Sequence, residues 1–246
     1  MMTQKKTSLL TAGAVLLALV AMSAGLAAQE EGGGGEKHEK TALELFEATG
    51  KVGWLMVIVS VIGTTLTLQY AVSITREKLA PSDLAADLEA LMAEGNYDEA
   101  IEVCDADGGY LATIVGDALR LRQAGYEHMI GALEQAAAEE TFKVNARISY
   151  LSLLGNVAPL LGLLGTVTGM ISSFQVIETL KSPTPGDLAK GVYESLVNTT
   201  MGLFIAIVFL VAYFVFKNKV QKMTLSINLQ AVDLLKHLAP TDPHAK

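Results

Sequence analysis

The sequence predicts an all-α integral membrane protein: three transmembrane helices in the mature chain and a helical cytoplasmic domain, behind an N-terminal signal peptide. Three observations predict it. Residues 52–75, 148–177 and 195–216 carry no charged side chain, and a transmembrane helix needs roughly 20 consecutive apolar residues. The chain is 51% hydrophobic with a mean hydropathy of +0.39, which is high for a soluble domain. In the polar stretch between the first two runs, Leu84, Leu88 and Leu91 recur at helical spacing.

Residues 1–27 read as the signal peptide: Lys5 and Lys6 supply a basic start, residues 9–22 a short apolar core, and Gly25, Leu26 and Ala27 a small-residue cleavage region. An uncleaved signal anchor is the rival reading, and both put residue 30 outside the cytoplasm. Residues 28–51 form a periplasmic segment. Gly32, Gly33, Gly34 and Gly35 among charges make a linker without a core, and Leu43, Leu45 and Phe46 follow on a short amphipathic stretch suited to a membrane interface.

Residues 52–75 are the first span, with Trp54 at the boundary that tryptophan favours. Residues 76–147 hold six basic and fifteen acidic side chains and read as the cytoplasmic helical domain. Pro81, Ser82 and Asp83 mark a helix start, while Gly95-Asn96 and Gly108-Gly109 punctuate the stretch. From Tyr126, the residues Ile130, Leu133, Val144 and Ile148 suggest one long helix leading into the second span, 148–177. Residues 178–190, with Pro183 and Pro185, are a periplasmic loop; 191–216 is the third span and 217–246 a cytoplasmic tail. Basic residues near span ends number seven inside (Arg76, Lys78, Lys143, Arg147, Lys217, Lys219, Lys222) against five outside (Lys37, Lys40, Lys51, Lys181, Lys190). That bias agrees with the signal sequence and places the mature N-terminus in the periplasm and the C-terminus in the cytoplasm.

Several function classes drop out. The net charge is −8 with no basic stripe, so no nucleic acid partner is expected. One cysteine, Cys104, rules out an intrachain disulfide, and the scattered His38, His128, His237 and His244 show no metal-ligand spacing. HExxH, GxSxG, Walker A and CxxC patterns are missing, and the spans hold neither histidine nor aspartate. The expectation is no enzyme, no cofactor and no metal.

The chemistry lies inside the membrane. At 100° per residue, Ser152, Gly155, Asn156, Pro159, Gly162, Thr166, Gly169 and Ser173 share somewhat less than half of the second span's circumference. Gly165 and Gly169 also make a GxxxG pair. Such a face brings helices close and supplies hydrogen bonds; packing and an ion pathway both fit it. Pro159 frees the Gly155 carbonyl, which Asn156 could help satisfy. The third span adds Glu194, Ser195, Asn198, Thr199, Thr200 and Gly202. An intramembrane carboxylate is costly and marks an ion route or a paired charge, although Glu194 lies at the span's outer end, where it could also snorkel. A carboxylate beside hydroxyls can relay protons, and hydroxyls with carbonyls can also coordinate Na⁺.

APLLGLLGTVTGM at 158–170 and GVYESLVNTTMGL at 191–203 resemble the signatures of the MotA/TolQ/ExbB proton channel family. Ser60-Val61-Ile62 in the first span and GNYDEA at 95–100 extend the resemblance, and three spans with a large loop after the first resemble the ExbB and TolQ layout more than the four-span MotA branch. The resemblance implies a homo-oligomer, a pentameric ring in the bacterial inner membrane, surrounded by lipid. The ring would enclose an ExbD-like single-span partner whose aspartate carries the proton, and act on a TonB-like energy transducer. Carried over by motif, Thr166, Glu194 and Thr199 are the ion-pathway residues; beside them, the reading of the spans themselves makes Asn156, Ser195, Asn198 and Thr200 supporting polar residues and has Gly162, Gly165, Gly169 and Gly202 bring helices together. Ser195, Asn198 and Thr200 stand where the family commonly has alanine, which leaves H⁺ and Na⁺ both open as the coupling ion. The function implied is an ion-conducting stator subunit that energises TonB-dependent transport across the outer membrane. The alternatives are a TolQ-like subunit of an envelope-integrity system, a motility motor, or a non-conducting membrane scaffold.

Overall fold

A computed structural model describes residues 50–179 and 184–238. The signal peptide, the glycine-rich segment, the amphipathic stretch, Lys181, Pro183 and the last eight residues lie outside the described residues. The described elements are all helical: α1 (Gly50–Ser73), α2 (Arg76–Leu79), α3 (Ser82–Glu94), α4 (Tyr97–Asp107), α5 (Tyr110–Arg120), a 3-10 turn (Arg122–Ala124), α6 (Tyr126–Thr179), α7 (Pro185–Leu235) and a closing 3-10 turn (Lys236–Leu238). Three of them, α1, α6 and α7, are long and apolar enough to cross a membrane.

The chain divides into two compact units. The first lies within Met1–Ala71 and Ser149–Phe214. Its core is Val52 and Met56 of α1, Ala158 of α6, and Ile205, Ala206 and Phe209 of α7, with Val59, Leu154, Leu161, Met201 and Val208 packed around it. Gly63 admits the Phe209 ring, which occupies the place a side chain at 63 would take. The opposite sides of these helices are apolar and exposed: Trp54, Ile58 and Val61 on α1, Leu160, Leu163 and Phe174 on α6, and Leu196, Leu203 and Ile207 on α7. Helices that are apolar on their outer as well as their inner faces are what a membrane span looks like.

The second unit lies within Val72–Ile148 and Val215–Lys246. Helix α3 begins at Ser82 behind Pro81, as the sequence suggests, and ends where Gly95 takes the left-handed conformation (φ 82°) that glycine adopts without a Cβ penalty. Gly108 (φ 62°) closes α4 in the same way. Leu84 and Leu88 are buried, but the third buried position is Met92, with Leu91 half-buried; the α3 stripe drifts by one residue. Helix α5 is the centre of this unit, with Leu111, Ile114, Val115 and Leu119 fully buried. Met129 and Leu133 of α6 and Val220, Ile227 and Leu235 of α7 complete the core. Ile130 and Val144 are only half-buried. Tyr110 carries the polar contacts: its phenol oxygen lies 2.9 Å from Asn228 Oδ1, 2.9 Å from Thr141 Oγ1 and 3.2 Å from the Ala137 carbonyl. Its single proton serves one acceptor while the Thr141 hydroxyl can donate to the phenol oxygen.

Candidate functional site

The site is a seam between the parts of α6 and α7 that belong to the first unit. Glycine on one helix faces a polar or small residue on the other, turn after turn. A methyl group on Gly169 would stand 3.0 Å from Ser195 Cβ and 3.2 Å from the Gly191 carbonyl oxygen. A methyl on Gly165 would stand 2.6 Å from Asn198 Cβ and 2.9 Å from Asn198 Cγ and Nδ2. On Gly162 it would meet the Asn198 carbonyl and Thr199 Cα, each at 3.1 Å, and on Gly202 the Ala158 carbonyl oxygen at 2.6 Å. Real Cβ atoms essentially never come under 3.0 Å, so Gly165 and Gly202 are a steric requirement of this packing, while at Gly162 and Gly169 the neighbours would have to give by a few tenths of an ångström.

Ser195 (3% exposed), Asn198 (4%) and Ser173 (3%) are buried polar residues of this seam. The Thr199 hydroxyl donates across it to the Gly162 carbonyl at 3.3 Å, with the Ser195 carbonyl of its own helix at 3.5 Å. Other hydroxyls turn back on their own helices: Ser195 to the Val192 carbonyl (2.7 Å), Ser173 to Gly169 (3.0 Å), Thr200 to Leu196 (3.0 Å) and Thr166 to Leu163 (2.6 Å). Burial of an unbonded hydroxyl in an apolar medium costs several kcal/mol, roughly 2–7, and backbone carbonyls one turn away relieve it.

The residues singled out from sequence therefore separate into groups. Ser195, Asn198, Thr199 and Gly202 meet Gly162, Gly165 and Gly169 directly. Thr166 follows Gly165 on α6 and is half-buried at the seam's edge, and Glu194, also half-buried, precedes Asn198 by one helical turn on α7. Asn156 and Thr200 are exposed. Asn156 does not support the carbonyl that Pro159 frees at Gly155; its amide donates to the Ser152 carbonyl at 2.7 Å, one turn earlier. An asparagine side chain reaches the carbonyl four residues back more easily than the neighbouring one on the far side of the helix.

Two contacts escape the sequence reading. Gly191 sits against Ser173, and Gly63 against Phe209. The first was legible in the spacing of Gly191, Ser195, Asn198 and Gly202 on one face of α7. Gly63 stands alone in an apolar helix, with no periodic companion to mark it.

Comparison with known proteins matches residues 109–228 to the sequence model of the MotA/TolQ/ExbB proton channel family. That stretch contains α5, all of α6 and most of α7. The Tol-Pal system protein TolQ of Pseudomonas aeruginosa is 36% identical over 101 residues, 38% of this chain and 44% of that protein. A putative biopolymer transport protein ExbB homolog of Methanothermobacter thermautotrophicus is 27% identical over 176 residues, 70% of this chain and 62% of that protein. The biopolymer transport protein ExbB of Pseudomonas putida is 30% identical over 146 residues, 56% and 44% of the two chains. The chain thus spans between 44% and 62% of the length of these relatives. Among solved structures, that of C. jejuni MotAB superposes with a TM-score of 0.50 at 15% identity, covering 95% of this chain and 98% of the other; at that identity the likeness speaks for the fold alone. Residues 109–228, which run through both helices of the seam, thus match the MotA/TolQ/ExbB proton channel family, and they stand in a chain with three helices long and apolar enough to cross a membrane.

Proposed function

We propose that this chain is the ion-conducting subunit of an inner-membrane motor of the ExbB–ExbD type, using the proton motive force to energise TonB-dependent transport across the outer membrane. The observation that carries the reading is the hydrogen bond from the Thr199 hydroxyl to the Gly162 carbonyl. It pins a hydroxyl of the third span to the backbone of the second, within two turns of the intramembrane carboxylate Glu194. An intramembrane carboxylate marks an ion route by default, and the Thr199 hydroxyl supplies a hydrogen-bonding group further along the same helix. In this reading Glu194 takes up the ion, Thr199 and Thr166 pass it on, and the glycines keep the wall narrow. The other wall belongs to a single-span partner held within a homo-oligomer. The chain sits in the inner membrane with residues 76–147 and the tail in the cytoplasm.

Glu194→Gln and Thr199→Ala test the reading. A conducting subunit carrying either change still assembles but loses driven transport, whereas a scaffold tolerates both. A second reading, a TolQ-like subunit of an envelope-integrity system, has the same chemistry and is favoured by the TolQ match at 36% identity. Deletion of the chain separates the two: lost TonB-dependent uptake supports the first, a leaking envelope with normal uptake the second.

A further inference from the structure

The amide of Asn198 is the largest of the buried polar groups in the seam. Asn198 is 4% exposed, and its Cβ, Cγ and Nδ2 fill the space above Gly165 that a side chain there would need. A leucine has nearly the same shape, costs nothing to desolvate and would seal two helices in lipid better; burying an amide there carries a desolvation cost that leucine avoids. The fit onto Gly165 also fixes depth. It places the amide level with Thr166, the next residue on α6, and with Thr199, whose hydroxyl reaches the Gly162 carbonyl at 3.3 Å. Glu194 lies one turn away on the same face of α7, the spacing at which side chains of a helix are neighbours.

We propose that Asn198 is a further positioning residue of the ion pathway: seated in the notch of Gly165, its amide completes a polar layer with Thr166 and Thr199 one turn inside Glu194. The hydroxyls of that layer are bound to carbonyls, Thr166 to Leu163 and Thr199 to Gly162; the amide brings both donors and an acceptor to the same level. This rests on the conducting role proposed above.

The test uses the full chain, reconstituted in liposomes with the single-span partner proposed above. Asn198→Leu keeps shape and removes polarity; Asn198→Ser keeps polarity and loses shape. The inference expects ion flux to fall about tenfold or more in Asn198→Leu and only a few-fold in Asn198→Ser. Flux in Asn198→Leu equal to or above that in Asn198→Ser overturns it, since packing alone would then rank the variants. Asn198→Ala against Asn198→Ser gives a second pair of equal size, and equal flux in those two is equally fatal. Helix register is read separately. A Cβ at 191 would stand 3.2 Å from Ser173 Cβ, a few tenths of an ångström inside the roughly 3.5–4.5 Å of a disulfide, so with a small parting of the helices a Ser173→Cys and Gly191→Cys pair in a Cys104→Ala background forms one. The inference expects that crosslink in every Asn198 variant. Glu194→Gln is measured alongside: flux surviving that change overturns the conducting role itself, whereas flux lost there but intact in Asn198→Leu overturns only the role of Asn198.

Discussion

Gly202 lies beneath the carbonyl oxygen of Ala158, so near that a methyl at 202 would stand 2.6 Å from that oxygen and 3.0 Å from Gly162 Cα. Neither neighbour is a flexible side-chain end; both are backbone. Gly202→Ala must therefore push the helices apart, which also draws Thr199 away from Gly162. The expected outcome is a loss of ion flux as large as that of Thr199→Ala, together with a protein less resistant to unfolding in detergent by about 1–3 kcal/mol, the range for overpacking. Gly131, with open space around it, is the control: Gly131→Ala should stabilise its helix by up to about 1 kcal/mol.

Removal of the phenol oxygen at Tyr110 should be costly. In Tyr110→Phe, Asn228 Oδ1, Thr141 Oγ1 and the Ala137 carbonyl lose a shared partner. A buried polar group deprived of its partner costs about 1–3 kcal/mol. Chemical denaturation should report that loss, and Tyr110→Phe combined with Asn228→Leu should recover part of it, since the orphaned amide is gone.

Cys104 offers a pH test. Burial, with the neighbouring Asp105 carboxylate, pushes its thiol up to about 11. The folded state therefore keeps the thiol neutral while the unfolded chain ionises near pH 9. The sign follows: the contribution to stability is intact below that pH and falls as pH rises toward 11, by roughly 2–3 kcal/mol in total. Cys104→Ala should flatten this part of the stability–pH curve. At pH 8 a thiol reagent should label Cys104 at least a hundredfold more slowly in the folded protein than in denaturant.

The coupling ion is expected to be the proton. A Na⁺ site needs several oxygens converging on one point, and here Ser195, Thr199 and Thr200 each direct their hydroxyl at a backbone carbonyl. Flux through the reconstituted complex should follow an imposed pH gradient and stay unchanged when Na⁺ is replaced by K⁺. Flux that follows a Na⁺ gradient at equal pH would refute this.

The spans and the glycines of the seam were readable because the bilayer imposes length and apolarity and because close helix approach tolerates little besides small residues. Gly162, Gly165 and Gly169 lie on the side of α6 that meets α7, and Gly202 on the side of α7 that meets α6. The partners of individual side chains were not readable: Asn156 faces outward and bonds to Ser152, since a helical wheel assigns a face but not which part of that face a neighbour covers. The same limit hid the α3 drift from Leu91 to Met92, where a one-residue shift in burial depends on what packs opposite. Gly63 was invisible for a different reason, because its significance lies in a phenylalanine nearly 150 positions later.

That ring has a mechanical consequence. With Phe209 seated in the backbone notch of Gly63 and Gly202 under Ala158, neither the first nor the second span can slide along the third without first withdrawing a side chain or parting two backbones. The bundle is thus keyed against axial slippage. Within that bundle, an axial load on one span is handed to the other two, and the three respond to it as one body.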